Sequence, residues 1–107
     1  MTRIFLSALL LCLTQVGHCD SGPSGERSRE LVRLVRQDCG SCHGLTLAGG
    51  LGPPLSAQAL AGKPADALVA TILYGRPGTA MPPWRSFFNE QEALWIVSQL
   101  QRGFPQE

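Results

Sequence analysis

The sequence contains no hydrophobic run long enough to cross a membrane as a helix. Its longest, Ile4 to Leu13, has ten residues, about half of what a spanning helix needs. Cysteine is scarce. Of four, one lies inside that run, leaving Cys19, Cys39 and Cys42, too few for a disulfide framework. Histidine occurs only at His18 and His43, methionine only at Met1 and Met81, and lysine only at Lys63. A structural zinc site needs four ligands, commonly from a second Cys or His pair. No second C-x-x-C exists here. No segment alternates polar and apolar residues with period two, which argues against a sheet. Charge of either sign is also in short supply. Arg3 is the one Asp, Glu, Lys or Arg before Asp20, and eight acidic and eight basic side chains follow. That balance gives no electrostatic pull toward nucleic acid or an anionic membrane.

The N-terminal stretch "MTRIFLSALLLCLTQVGHCDSG" has the layout of a secretory signal: Arg3, a short apolar stretch, then small and polar residues. The expected organisation is a signal peptide over 1–19, a flexible leader over 20–27 and one domain over 28–107. Cys19 could instead be acylated in "VGHC". His18 departs from the small residue that acylation signals carry before the cysteine, so no membrane anchoring is expected. A domain of this size cannot bury much apolar surface, and such scaffolds usually rely on an internal staple.

Helical periodicity marks three segments. Ser28 to Asp38 places Leu31, Leu34 and Val35 on one face and Arg29, Arg33 and Arg36 on another. Pro64 to Tyr74 starts with a proline suited to the first helical position and ends at Gly75. Glu90 to Arg102 follows Asn89, with Glu92 completing a capping box, and carries the stripe Ala93, Ile96, Val97, Leu100. Two long loops rich in Gly and Pro remain, Gly44 to Lys63 and Gly75 to Phe88, with one helical turn expected after Ser56. Loops of this length are uncommon unless functional.

The staple is legible at "CGSCH", residues 39 to 43. C-x-x-C-H is the attachment signature of a c-type haem. Its two thiols, one helical turn apart, reach the two vinyl positions of a porphyrin. The next residue then presents an imidazole to the iron. Cys39 and Cys42 are therefore the expected thioether anchors of one covalent haem c, and His43 the proximal iron ligand. A redox dithiol would sit at a helix start beside a βαβ unit. Here the motif follows a helix and no strands are evident.

The other axial ligand follows by elimination. Once the signal is gone, Met81 is the only methionine, in the stiff segment "GTAMPPW". It could be a core filler, but a haem needs a second axial ligand or an open face. Met81 is the expected ligand. His/Met ligation raises the potential and closes the iron to outside molecules, which suits electron transfer.

The order of helix, "CGSCH", "GPPL", helix, "GRPGTAMPPW" and helix resembles the class I cytochromes c over nearly all of the exported part. The resemblance implies an all-α fold wrapped around the haem. It also implies that the Pro53 carbonyl orients His43 and that Leu55 and Leu68 line the haem. The C-terminal helix departs from the family at Gln99, where an aromatic is usual, with Trp95 one turn earlier. Within that family, "QDCGSCHGLTLAGGLGPPL", "GKPADALVATILYGRPGTAMPPW" and the tail "GFP" are similar to the cytochrome c-55X group. These are small periplasmic cytochromes of denitrifying bacteria associated with the haem-cd nitrite reductase. The resemblance implies a periplasmic electron carrier with no small-molecule substrate and no catalytic residue of its own. Its redox partner would be that reductase or its assembly proteins. Two alternatives are a factor in maturation of the reductase's d-type haem and a small haem sensor or enzyme with an open axial site. Arg27, Arg29, Arg33 and Arg36 could form a docking stripe or an ordinary solvated face. Arg76 and Trp84 flank the Met81 loop, where either could meet a haem propionate.

Overall fold

A computed structural model describes residues 22–105. The expected signal peptide, Cys19 and the first residues of the expected leader lie outside the described residues. Among the described residues every regular element is helical and no strand occurs. The elements are α1 (Gly25–Leu34), a π-helical turn (Val35–Cys39), α2 (Gly40–His43), α3 (Ala57–Leu60), α4 (Ala65–Tyr74) and α5 (Glu90–Arg102). No helix among the described residues is long and apolar enough to cross a membrane.

The first helix begins earlier than its apolar pattern suggested. Ser24 is the cap, its side chain accepting from the Arg27 amide at 3.3 Å. Residues 25–27, expected in the leader, are thus helical. The helix also does not end at Asp38 but continues through the π turn into the cysteine motif. That wide turn has a consequence for side-chain direction. A regular α-helix would carry the buried stripe Leu31, Val35 on to Cys39. One extra residue rotates the chain by about 100°, so the stripe passes instead to Gly40, which is buried. Cys39 is turned to the edge of the core.

The C-terminal helix spans the expected Glu90 to Arg102. Asn89 Oδ1 accepts from the Glu92 amide at 2.8 Å, and Glu92 Oε2 accepts from the Asn89 amide at 3.1 Å. In α4, Pro64 is the cap (φ −61°, ψ 131°) and not the first helical residue; the φ fixed by its ring serves either place.

One core joins these helices. Leu31 and Val35 meet Val69 and Leu73 of α4 and the stripe Ala93, Ile96, Val97, Leu100 of α5. Each large side chain fully buried here contributes roughly 1.5–3 kcal/mol. α5 is the hub, packing against both α3 and α4.

Two arginines of the supposed docking stripe turn inward instead. Arg27 Nε and Nη2 donate to the two oxygens of Glu92 at 2.7 and 3.1 Å, and Nη2 also donates to the Phe87 carbonyl at 3.0 Å. Arg36 Nη2 donates to the carbonyls of Phe104 and Pro105, with its guanidinium 5.4 Å from the Phe104 ring centroid. The C-terminal "GFP" is thereby strapped to the π turn.

The Arg27 hydrogen bonds hold the Glu92 carboxyl below its ordinary range. A carboxyl with a lowered folded pKa adds stability that is fully present above its unfolded value, about 4.3. That stability is lost as pH falls through the folded value. Glu92→Gln is therefore expected to cost about 1 kcal/mol at pH 7. The difference should vanish in acid. Thermal unfolding of both proteins from pH 7 to pH 3 checks this, and a gap that stays constant with pH would count against the ion pair.

Candidate haem site

The site is assembled by a loop that folds back on the cysteine motif. The helical run stops at Gly44, leaving the last carbonyls of α2 without helical partners. The following loop supplies them. Gly49 and Gly52 amides donate to the carbonyls of His43 and Cys42, each at 2.8 Å. This brings Pro53 beside the imidazole, with His43 Nδ1 lying 2.7 Å from the Pro53 carbonyl oxygen. A carbonyl can only accept. In the neutral ring Nδ1 therefore carries the proton, and the lone pair is left on Nε2, the arrangement a metal-ligating histidine needs. Close approach is possible only because residue 52 is glycine. A Cβ there would lie 2.8 Å from both Cε1 and Nδ1 of His43.

Across the site, the second loop is fastened just as tightly. Arg76 N donates to the Met81 carbonyl at 3.1 Å. Thr79 Oγ1 donates to the Arg76 carbonyl at 2.7 Å and accepts from the Met81 amide at 3.3 Å. Trp84 and Arg85 amides reach the carbonyls of Ile72 and Leu73 at the end of α4, at 2.9 and 3.2 Å. The loop leaves α4 through Gly75 (φ 68°, ψ −168°), a backbone region essentially restricted to glycine. A Cβ at Gly75 would lie 2.6 Å from the Met81 carbonyl oxygen. Gly75→Ala is thus expected to destabilise the fold by roughly 3 kcal/mol, seen as a lower denaturation midpoint with little change in slope. An unchanged midpoint would show that the loop accommodates the methyl group.

Between the two loops lies one cavity of ≈ 630 Å³, within the range of ligand sites. Every site residue expected from the sequence lines it: Cys39, Cys42, His43, Pro53, Leu55, Leu68 and Met81. Ile72, Trp84 and the α5 residues Ile96, Val97 and Leu100 complete its apolar wall. Trp84 stacks on the buried Phe88 at 6.0 Å between centroids. Both residues weighed for a propionate, Arg76 and Trp84, line the cavity, as does Lys63, for which the sequence suggested no propionate role. Thr79 was also missed, although a threonine two residues before the methionine in a Gly-Pro turn is a typical backbone-bonding position.

The residues fit a haem. Two thiols and an imidazole lie at one wall, a thioether belongs to the opposite loop, apolar side chains line the space between, and two cations suit a group bearing two carboxylates. The motif does not suit the dithiol alternative, because it follows a helix and no βαβ unit occurs among the described residues. Burial, with the neighbouring Asp38 charge, pushes the Cys39 thiol up to about 11.

Comparison with known proteins agrees. Residues 26–98 match the family model described as cytochrome C oxidase, cbb3-type, subunit III. The chain is 53% identical over 85 residues to cytochrome c55X of Stutzerimonas stutzeri, covering 79% of this chain and 75% of the relative. Among solved structures it is similar to the c-type cytochrome NirC, with a TM-score of 0.74 and 53% identity, over 76% of this chain and 95% of that one. It is also similar to part of the dihydro-heme d1 dehydrogenase NirN, solved in complex with DHE. That match has a TM-score of 0.61 and 33% identity, over 70% of this chain but only 16% of that one.

Proposed function

Since the chain belongs to the cytochrome c55X family of c-type cytochromes, electron carriers with a covalently bound haem c, we propose that it is a periplasmic carrier. In this reading His43 and Met81 are the axial ligands, and the recipient of its electrons is a haem-cd nitrite reductase. Haem c supplies the one-electron couple. The chain's own residues do the rest. Cys39 and Cys42 hold the group covalently. Pro53 fixes the His43 tautomer, and the Thr79 and Trp84 backbone bonds hold the Met81 loop. The apolar wall of Leu55, Leu68 and Ile72 keeps water away. The observation that carries this reading is the single cavity whose wall includes both His43 and Met81. An iron held by both residues would favour electron transfer over a sensor or enzyme, which needs an exchangeable position. The signal-like N-terminus supports export, and the family resemblance supports the reductase.

The test is direct. The haem-loaded, reduced protein is mixed rapidly with purified haem-cd nitrite reductase and nitrite, and reoxidation is followed. A fast phase that saturates with reductase is expected. Slow reoxidation by a spectroscopically normal protein would remove the reductase as recipient.

A second reading is favoured by the likeness to part of a dihydro-haem d1 dehydrogenase. The chain would then serve maturation of a d-type haem, accepting electrons as the dihydro form is oxidised. Deleting the gene separates the two. A reductase lacking its d-type haem indicates assembly, and a complete reductase short of electrons indicates donation.

A further inference from the structure

The cysteine motif and the Met81 loop both line one cavity, so its shape depends on what holds the two segments together. We propose that Arg27 is that strut, a positioning residue that holds the end of the Met81 loop against the helix leading to Cys39 and His43.

Arg27 lies in the first turn of α1 and is only partly exposed, at 28% of its side chain. Its guanidinium joins three segments at once. One Nη2–H reaches the Phe87 carbonyl at the end of the Met81 loop, 3.0 Å away. Nε and Nη2 form a fork onto Glu92 in the first turn of α5. Nη1 donates to Glu30 of its own helix at 2.8 Å, which steadies the side chain. The fork is not an exposed, freely rotating pair, because Glu92 is held by its capping-box bond to the Asn89 amide. Charge-assisted, bidentate bonds of this kind carry both strength and direction.

The contact at Phe87 is the informative one. The amides of Phe87 and Phe88 both donate to the Trp84 carbonyl, at 2.9 and 3.0 Å. Residues 84–88 therefore move as one turn. Its front end is tied to α4 by the Trp84 and Arg85 amides. Its rear end is tied by Arg27 to α1, the helix that continues into Cys39 and His43. Trp84 lines the cavity beside Met81. Releasing the rear tie leaves the turn held by its α4 bonds and the buried Phe88, and the Met81 side of the cavity is then less firmly fixed to α1. Arg27 thus couples the two walls without touching the haem site itself.

The experiment compares haem-loaded wild type with Arg27→Met, which keeps side-chain length but loses the fork, and with Arg27→Lys, which keeps the charge and one bond. Val32→Ala, on the same helix, serves as a control for general destabilisation. Amide hydrogen exchange is read at Phe87 and Phe88, at the rear of the turn, and separately at Val97 and Leu100 in α5. The expected result is exchange at Phe87 and Phe88 faster by roughly tenfold in Arg27→Met, as for loss of one hydrogen bond to a charged group. Val97 and Leu100 should be little changed, Arg27→Lys intermediate, and the control should not reproduce the selectivity. Equal acceleration at all four amides, or none, would overturn the proposal.

This inference rests in part on Met81 being the axial ligand, and a second readout separates the two. In ferric wild type the far-red thioether-to-iron band reports Met81. If that band is absent, the ligand assignment fails while the exchange data still decide the role of Arg27. If it is present, imidazole should enter the iron site roughly tenfold faster in Arg27→Met, and an unchanged rate would overturn the strut.

Discussion

Met81→Ala is expected to abolish the far-red band of the ferric protein, lower the reduction potential and let imidazole or cyanide bind immediately. Candidate ligands are scarce. No other methionine follows the signal-like segment, and the only histidine among the described residues is His43, already committed through Pro53. With the thioether gone, the variant should take water or an added ligand. Loss of a thioether ligand should lower the potential by on the order of 0.2 V, a fraction of the roughly 0.8 V over which axial ligation moves haem proteins. Absorption spectroscopy and a redox titration check both. An unchanged band and potential would mean that Met81 only fills the core.

Gly52→Ala is expected to be nearly as damaging, although it removes nothing. The new methyl carbon would lie 2.8 Å from two atoms of the His43 ring, well inside van der Waals contact. The ring is held at Nδ1 by the Pro53 carbonyl, and the Gly52 amide is itself fastened to the Cys42 carbonyl. Neither partner can retreat without breaking a hydrogen bond. Overpacking of this kind costs roughly 1–3 kcal/mol, and losing the oriented tautomer adds to it. The expected outcome is a lower yield of haem-loaded protein and a less stable product with altered ligand-field bands. Normal yield and spectrum would show that the His43 orientation does not depend on the close approach at residue 52.

What the sequence made legible, and what it hid, divides along physical lines. The span of α5 could be read because both of its ends carry local chemistry, the Asn89–Glu92 capping box and Gly103. That Cys39, Cys42, His43 and Met81 would come together at one cavity could be read because porphyrin attachment imposes fixed spacing and because candidate ligands were so few. The π turn could not. It arises where the buried stripe must pass from Val35 to Gly40 while Cys39 faces the site, and no residue type signals that change of phase. The inward turn of Arg27 was equally hidden, since its partners Phe87 and Glu92 lie 60 and 65 positions away. A solvated face and a strut look alike in sequence. Leu47 is a third case. It is buried at 3% exposure yet adopts a left-handed backbone, φ 60°, at a cost of roughly 1–2 kcal/mol. Burial of its side chain offsets that cost, in a loop where glycine would have been the expected choice.

An electron carrier of this kind requires a closed iron with one nitrogen and one sulfur ligand. Proton NMR of the reduced, haem-loaded protein tests this most directly. A methionine methyl held over the ring current gives a single three-proton resonance shifted far upfield. The expected result is one such resonance, absent in Met81→Ala. A reduced protein with no upfield methyl signal and with high-spin, five-coordinate absorption would contradict the account and point to an open-site sensor or enzyme.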